Sequence, residues 1–334
     1  MVGVVAGAGV EVGVGAVVLV VEVVSVVTVL VVVVGAAVAL VPVSRSVDPA
    51  SRGATRERRG ERMGHQRGYR PGGAARAKRL SRPCSPATTR EAGAMHETTF
   101  EVGTPDGTMP IYEARPDGGG PRRVVVVVVQ EAFGVNDHIQ SVTRRFAAAG
   151  YHAMAPHIFH RAGGGTAPYD DFEKVLPLFE GLTDDGILDD IDATVGAMAN
   201  HGITAERVAT VGFCFGGRVT FLVAVRRKLG AAVGFYGGGI VTARFPQFPP
   251  LIGEVPAMRT PWLGLFGDLD PSIPVDDVER LRAELGAAPV GHDVVRYAAA
   301  GHGFHCDERP EYEPDAATDA WTRTLEWLER HLAG

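Results

Sequence analysis

A run of six valines constrains the fold of this chain more than any other stretch. It lies within "RVVVVVVQ" at residues 123–130 and shows no alternation of apolar and polar residues. A strand with one solvent-facing side alternates, whereas a continuous β-branched run is typical of a strand that is buried on both faces. Strands of this kind belong to parallel sheets that are covered by helices. The run therefore predicts a layered α/β domain.

Strand and helix patterns alternate from Met95 to the end of the chain. "TTFEV" (98–102) and "TMPIYEA" (108–114) flank a turn, which predicts an antiparallel hairpin. The later strand patterns lie at 151–156, 207–213, 231–237, 262–267 and 292–298, and the helix patterns at 136–150, 184–202, 218–230, 274–286 and 316–332. The alternation predicts a mostly parallel, twisted sheet with helices on both faces.

Functional side chains in such a sheet gather in the loops beyond the carboxyl ends of the strands. The candidates are the polar residues that closely follow predicted strands: Glu131, Cys214, Asp268, Asp270 and His302. These residues are the starting set for a functional site.

The first 94 residues differ from the rest in composition. Val, Gly and Ala dominate residues 1–43, and Arg is frequent in residues 44–94. The Arg-rich segment cannot bury enough apolar surface to offset the entropy of the chain, so we expect it to be disordered. Composition and patterning thus divide the chain into residues 1–43, 44–94 and 95–334.

Two hypotheses explain the segment before Met95. Its low complexity is typical of translated non-coding sequence from a GC-rich genome, and we favour the hypothesis that the natural protein starts at Met95. The alternative is that residues 16–43 cross a membrane, with the following arginines placing the later chain in the cytoplasm. A signal peptide is disfavoured because no basic residue precedes the apolar stretch. A native peptide from upstream of residue 95, found by mass spectrometry, would contradict the first hypothesis.

Charge is distributed unequally between the two parts. Residues 1–94 hold 13 of the 33 Lys and Arg and 6 of the 39 Asp and Glu, a net charge of about +7, which leaves about −13 for residues 95–334. Nucleic-acid binding by the acidic part is disfavoured because phosphate contacts need clustered basic residues. Three cysteines without paired spacing predict neither a disulfide framework nor a zinc site, and they fit a reducing compartment. We therefore expect a cytoplasmic monomer or small homo-oligomer that acts on a small molecule without a metal or another cofactor.

The stretch "GFCFG" at residues 212–216 fits the pattern of a nucleophile elbow, G-x-[S/C]-x-G. The glycines allow a sharp turn from strand to helix, which would hold Cys214 out at the edge of the sheet. The start of the helix stabilises a thiolate, and the N–H of Phe215 points to where an oxyanion forms. An isolated cysteine is more often a buried apolar residue. The glycines and the strand–helix context favour a nucleophile here.

A cysteine nucleophile needs a base and a group that orients the base. Segments that follow later predicted strands offer Asp268 or Asp270 as the acid and His302 or His305 as the base. This chain order of nucleophile, acid and histidine matches the order in hydrolases with such an elbow. His302 is favoured because glycines flank it, and His305 is the alternative. The two histidines of "PHIFH" have no third ligand nearby, so they predict no metal site.

Together these motifs resemble the dienelactone hydrolase family of α/β-hydrolases. The resemblance covers nearly all of residues 95–334, and six stretches carry it: "QEAFGVNDHI" (130–139), "GYHAMAPHIFHR" (150–161), "VGFCFGGR" (211–218), "FYGGGI" (235–240), "GDLDPSIP" (267–274) and "GHGFHCDERPEY" (301–312). Residues 1–94 have no counterpart in it. The resemblance implies the α/β-hydrolase fold and hydrolysis of a small ester or lactone, as by a carboxymethylenebutenolidase.

The resemblance implies a catalytic triad. Cys214 matches the nucleophile and His302 the base. The family stretch G-x-x-D-x-x-[IV]-P aligns with "GDLDPSIP", so Asp270 matches the acid and Asp268 becomes a solvated loop residue. Such a triad implies a thioester intermediate on Cys214.

Three further positions gain roles from the same resemblance. Glu131 matches a carboxylate that pairs with the resting thiol and takes its proton when substrate arrives. This role makes physical sense because a thiolate kept permanently free would oxidise or alkylate. The backbone N–H of Ala132 would complete the oxyanion hole with that of Phe215.

One departure from the family pattern bears on the substrate. Family members that open dienelactones carry an arginine shortly after the catalytic histidine, where it binds the substrate carboxylate. Here Cys306 stands in that neighbourhood and Arg309 follows further along. Arg161 is a second candidate for a cation near the site. This departure leaves the expected triad unchanged, but it argues against a dienelactone as the substrate.

Two alternatives to this function stay open. One is a general carboxylesterase with the same fold. The other is a non-catalytic thiol redox sensor built around Cys214, in which the acid, the base and Glu131 would be coincidental. Labelling of Cys214 by iodoacetamide without hydrolysis of any ester or lactone would favour the sensor.

Overall fold

The structure is a computed structural model that describes residues 16–23, 26–33, 95–119, 124–199 and 201–332. The chain divides into two units, residues 1–82 and 83–334. Most of residues 1–94 lies outside the described residues. The hypotheses of a late start and of a membrane span, and the expected disorder of residues 44–94, stay predictions.

The described residues of the first unit form an antiparallel strand pair, β1 (Ala16–Val23) and β2 (Val26–Val33). Ala16 lies opposite Val33, and Val23 lies opposite Val26. Among the described residues, none of the helices has the length and the apolar character that crossing a membrane requires.

The second unit is built on a sheet whose described part has eight strands. Their bounds are β3 (Met95–Thr104), β4 (Gly107–Pro116), β5 (Val125–Val129), β6 (His152–Pro156), β7 (Val208–Phe213), β8 (Ala231–Phe235), β9 (Trp262–Gly267) and β10 (His292–Tyr297). Their order across the sheet is β10-β9-β8-β7-β5-β6-β4-β3. All neighbours are parallel except the pairs β6–β4 and β4–β3. The predicted hairpin, β3 with β4, therefore forms one edge of the sheet.

The valine run forms β5 at the centre of the sheet, between β6 and β7. All five of its residues are fully buried, as are most residues of β7 and β8. The edge strand β3 alternates between exposed and half-buried positions instead. Burial on both faces thus explains why the central strands lack a polar side.

Five helices of the described residues pack against the strands. They are α1 (Asp137–Ala148), α2 (Asp184–Ala199), α3 (Phe215–Arg226), α4 (Val275–Glu284) and α5 (Pro314–Leu332). Short 3-10 turns lie at Asp117–Gly119, His160–Ala162, Phe172–Lys174, Leu176–Phe179, Ala205–Arg207, Ile252–Ala257 and Leu285–Ala287. The side chain of Asn136 caps α1 by accepting a hydrogen bond from the N–H of Ile139 at 3.1 Å. This is the polar helix start that the sequence predicts.

Candidate active site

The turn from β7 into α3 places Cys214 at the N-cap position of the helix. Its φ of 53° lies in the left-handed region, which costs a non-glycine residue on the order of 1–3 kcal/mol. Gly212 and Gly216 make this turn sterically feasible. A β-carbon at position 212 would overlap the carbonyl of Gly216, and one at position 216 would overlap that of Val129. The strained cysteine is half-buried and lines a cavity.

His302 follows β10, and Asp270 follows the neighbouring β9. Nδ1 of His302 lies 2.6 Å from Oδ2 of Asp270. The other oxygen of Asp270 accepts hydrogen bonds from the backbone N–H of Ser272 at 2.8 Å and from its hydroxyl at 2.6 Å. These contacts fix the carboxylate and orient the imidazole, which also interacts electrostatically with the sulfur of Cys214.

The surroundings of Asp270 and His302 favour the charged form of both side chains. Burial opposes the charge on Asp270, but the hydrogen bonds from His302 and Ser272 outweigh it and lower the pKa of the carboxyl below its usual value. Burial also opposes the imidazolium of His302, but the sulfur of Cys214 and the carboxylate of Asp270 raise its pKa to about 10. The site therefore favours a protonated histidine between a carboxylate and a sulfur at neutral pH.

Glu131 follows β5 and is fully buried. Its Oε2 accepts a hydrogen bond from the hydroxyl of Tyr169 at 3.1 Å. Its Oε1 has no hydrogen-bond partner among the described residues. The charge of Glu131 helps to raise the pKa of Arg309, against the effect of burial. A contact between Glu131 and the Cys214 sulfur is not among the hydrogen bonds of the described residues, so pairing of the two stays a prediction.

A cavity of about 450 Å³ brings most of the candidates together. Cys214 and His302 line it, as do Ala132 and Phe215, whose amides are the expected oxyanion donors. Asp270 lies behind His302, away from the cavity lining. A base, its orienting acid and a thiol in this arrangement can support nucleophilic attack on a carbonyl.

The residues considered as alternatives for the acid, the base and the nearby cation do not line the cavity. Asp268 holds the guanidinium of Arg296 through two hydrogen bonds of 2.7 and 2.8 Å. His305 is buried among aromatic rings, and neither of its nitrogens has a partner among the described residues. Arg161 binds Asp190 and Asp106 and does not line the cavity, so the interpretation of Arg161 as a cation near the site is not supported by its position.

Several cavity residues lie outside the quoted motifs, or in them without an expected role. Tyr169, Phe179, Arg244, Phe248 and Arg309 all line the cavity. Arg309 places its guanidinium carbon 5.0 Å from the ring centroid of Tyr169. Of these residues only Arg309 was a candidate from the sequence, because it follows the predicted catalytic histidine, His302, in the same loop. The others lie in the long connections between β6 and α2 and between β8 and β9, whose sequence has no strand or helix periodicity.

The buried histidines behind the site predict a loss of stability in acid. Burial keeps the pKa of His305 well below its usual value, and Arg145 and His138 lower it further. The unfolded chain binds a proton below pH about 6.5, whereas folded His305 stays neutral, so stability falls as the pH is lowered through this value, by up to about 1.4 kcal/mol per pH unit. We expect His305→Phe to make this dependence shallower in urea unfolding experiments between pH 7.5 and 5.5. An unchanged slope would contradict the prediction.

Known proteins resemble this chain in sequence and in fold. The sequence profile of the dienelactone hydrolase family matches residues 109–332. The chain is 38% identical over 226 residues to a Yersinia pestis protein named "Putative carboxymethylenebutenolidase", which covers 67% of this chain and 84% of that protein. It is 32% identical over 237 residues to a Bradyrhizobium protein named "Probable 2-oxo-3-(5-oxofuran-2-ylidene)propanoate lactonase", which covers 70% of this chain and 94% of that protein.

A solved structure shares the architecture. It is described as a "Putative Dienelactone Hydrolase" from Klebsiella pneumoniae, and it superposes with a TM-score of 0.66 at 36% sequence identity. The alignment covers 71% of this chain and 100% of that chain. The α/β-hydrolase fold expected from the sequence is thereby confirmed.

Proposed function

The chain belongs to the dienelactone hydrolase family and is a hydrolase, and we propose that it cleaves small esters or lactones through a thioester on Cys214. The observation that carries this proposal is the arrangement of three side chains that follow the carboxyl ends of the parallel strands β7, β9 and β10. Cys214 lies in a strained turn, the charge of His302 interacts with its sulfur, and Oδ2 of Asp270 lies 2.6 Å from Nδ1 of His302.

The first half of the reaction forms the thioester. Glu131 accepts the thiol proton through the oxygen that has no partner among the described residues. The thiolate attacks the carbonyl carbon, a C–S bond forms, and the carbonyl electron pair moves to the oxygen. The N–H groups of Ala132 and Phe215 stabilise this oxyanion. When the C–O bond breaks, the leaving alkoxide takes a proton from the imidazolium of His302.

The second half of the reaction restores the enzyme. Neutral His302 takes a proton from water, which attacks the thioester carbonyl. The C–S bond breaks, the acid product leaves, and the thiolate recovers its proton from Glu131. A lactone follows the same steps, except that the alcohol and the acid end up on one product. Because a thiolate is a good leaving group, activated esters and strained lactones are better substrates than amides.

The function is tested by turnover of cis- and trans-dienelactone beside simple aryl acetates with the full chain. We expect hydrolysis of at least one class: an aryl acetate releases acetate and a phenol in equal amounts, whereas a dienelactone opens to a single product. Absence of hydrolysis of all these substrates by folded protein would contradict the proposal. Hydrolysis of aryl acetates but of neither dienelactone would place the protein with general carboxylesterases of the same fold.

We expect Glu131→Gln to lower kcat/KM for an aryl acetate by roughly 10- to 100-fold, since the amide cannot accept the thiol proton. Glutamine preserves the size of the side chain and the hydrogen bond from Tyr169, so the fold should be retained. Glu101→Gln on the exposed edge strand is the matched control and should leave kcat/KM unchanged. Equal activity of the two variants would show that Glu131 takes no part in activating the thiol.

A further inference from the structure

One side of the cavity is built from aromatic rings. Four phenylalanines form a contiguous surface, here called the aromatic wall: Phe179, Phe215, Phe245 and Phe248. The ring centroids of Phe179 lie 4.8 Å from Phe215 and 5.1 Å from Phe245, and those of Phe215 and Phe248 lie 5.3 Å apart. Phe215 directly follows the nucleophile in the chain, and both residues line the cavity. The aromatic wall and the reacting sulfur therefore share one cavity.

The mouth of the cavity is also apolar. Phe172 and Leu269 line it although 52% and 64% of their surfaces are exposed. Large apolar side chains with this exposure, next to a concave apolar site, are typical of a surface that binds an apolar ligand. A small, highly polar substrate would leave most of this surface unused.

Three arginines line the same cavity, and two of them are already neutralised. Arg218 is buried and binds the carboxylate of Asp184 through two hydrogen bonds of 2.6 and 3.0 Å. Arg309 lies 3.4 Å from Glu311 and also interacts with the charge of Glu131.

Arg244 is the third cavity arginine; it is exposed to solvent, and it has no carboxylate partner among the described residues. Its side chain packs on the glycines that follow β8, where a β-carbon at Gly238 would overlap its guanidinium. It precedes Phe245 of the aromatic wall in the chain. The cavity therefore presents one uncompensated cation beside the aromatic wall.

We propose that the site selects aryl esters with an acidic substituent on the ring, and this inference rests on the proposed function. The aryl group packs on the aromatic wall, where offset and edge-to-face contacts between rings are favourable. The acidic substituent binds Arg244 through charge-assisted hydrogen bonds, which are about twice as strong as neutral ones. The ester carbonyl then lies at Cys214, next to Phe215. Arg244 is a specificity-determining residue for the charge of the substrate.

The charge preference is tested with a matched pair of substrates, 4-acetoxybenzoate and 4-acetoxybenzamide. They share the acetyl group and the ring, and they differ in the negative charge. We expect the unaltered protein to hydrolyse the benzoate with a kcat/KM about tenfold above that of the benzamide. Arg244→Gln should remove this preference, with little change for the benzamide, and Arg244→Lys should retain part of it. Arg259→Gln, an exposed arginine outside the cavity, should behave like the unaltered protein.

The outcomes separate this inference from the proposed function. Hydrolysis of both substrates at equal rates, or a preference that Arg244→Gln leaves intact, would overturn the inference while the esterase activity stands. Failure to hydrolyse either of them, together with turnover of other esters, would also overturn only the inference. Absence of turnover of every ester would overturn the proposed function itself.

The aromatic wall is tested separately with Phe248→Leu. We expect kcat/KM for both aryl substrates to fall about fivefold while that for vinyl acetate, an activated ester without a ring, changes less than twofold. An equal loss for all three substrates would mean that the wall supports the fold of the site and does not recognise the ring. A melting temperature measured for the same variant shows whether the fold is retained.

Discussion

Cys214→Ala should lower kcat/KM for every ester substrate by roughly 10³-fold or more, because the methyl group that remains cannot form a covalent intermediate. The strained backbone at position 214 accepts alanine no worse than cysteine, so the variant should fold. Steady-state release of phenol from an aryl acetate measures the loss. The melting temperature, compared with that of the unaltered protein, confirms that the fold is intact.

The serine variant refines this result. A hydroxyl is far less acidic than a thiol, so Cys214→Ser should retain only a small part of the activity. A Cys214→Ala variant that turns over esters like the unaltered protein would overturn the assignment of the nucleophile.

His302→Gln should lower kcat by roughly 10²- to 10⁴-fold, the usual contribution of a positioned acid–base group. Glutamine can occupy the space, but it can neither protonate the leaving alkoxide nor accept a proton from water. The imidazolium beside the sulfur would also be lost, so alkylation of Cys214 by iodoacetamide at neutral pH should become slower. This second readout distinguishes a chemical role of His302 from a purely structural one.

The matched control for this variant is His201→Gln, which replaces an exposed histidine. It should leave both the turnover and the alkylation rate unchanged. Turnover by His302→Gln within a few-fold of the unaltered protein would exclude His302 as the base. The buried His305 would not replace it, because aromatic rings separate it from solvent and it does not line the cavity.

The fold was predictable because the burial of a strand determines the pattern of apolar and polar residues in its sequence. The valine run predicted a central strand, and it forms β5 between two parallel neighbours. The turn between "TTFEV" and "TMPIYEA" predicted the hairpin that forms the edge of the sheet. The first feature depends on the absence of the alternation that a half-exposed strand shows, and the second on a local turn between two strand patterns.

The candidate site was predictable in part, because its motifs lie at the ends of strands. The carboxyl ends of parallel strands meet at one edge of the sheet, which brings Cys214, Asp270 and His302 together although 88 residues separate the first from the last. Their catalytic roles stay predictions. Asp268 and Asp270 could not be separated by pattern alone, since both follow the same strand. In the structure Arg296 engages Asp268, which leaves Asp270 for the histidine.

The walls of the cavity could not be predicted. Tyr169 lies in the irregular segment between β6 and α2, and Arg244 in that between β8 and β9. In such segments the direction of a side chain follows from tertiary contacts and leaves no periodic signal in the sequence. The position of Arg244 on Gly238, and the hydrogen bond of Tyr169 to Glu131, depend on the folded chain as a whole.

The most direct test of the account is to trap the covalent intermediate. The full chain is mixed with 4-nitrophenyl acetate, quenched in acid within the first turnover, digested and analysed by mass spectrometry. The account predicts an acetyl group on the peptide that contains Cys214, and its absence from the same peptide of Cys214→Ala. An acetyl group on Ser272, whose hydroxyl lies 3.4 Å from His302, or turnover without any acylated peptide, would contradict the thioester mechanism.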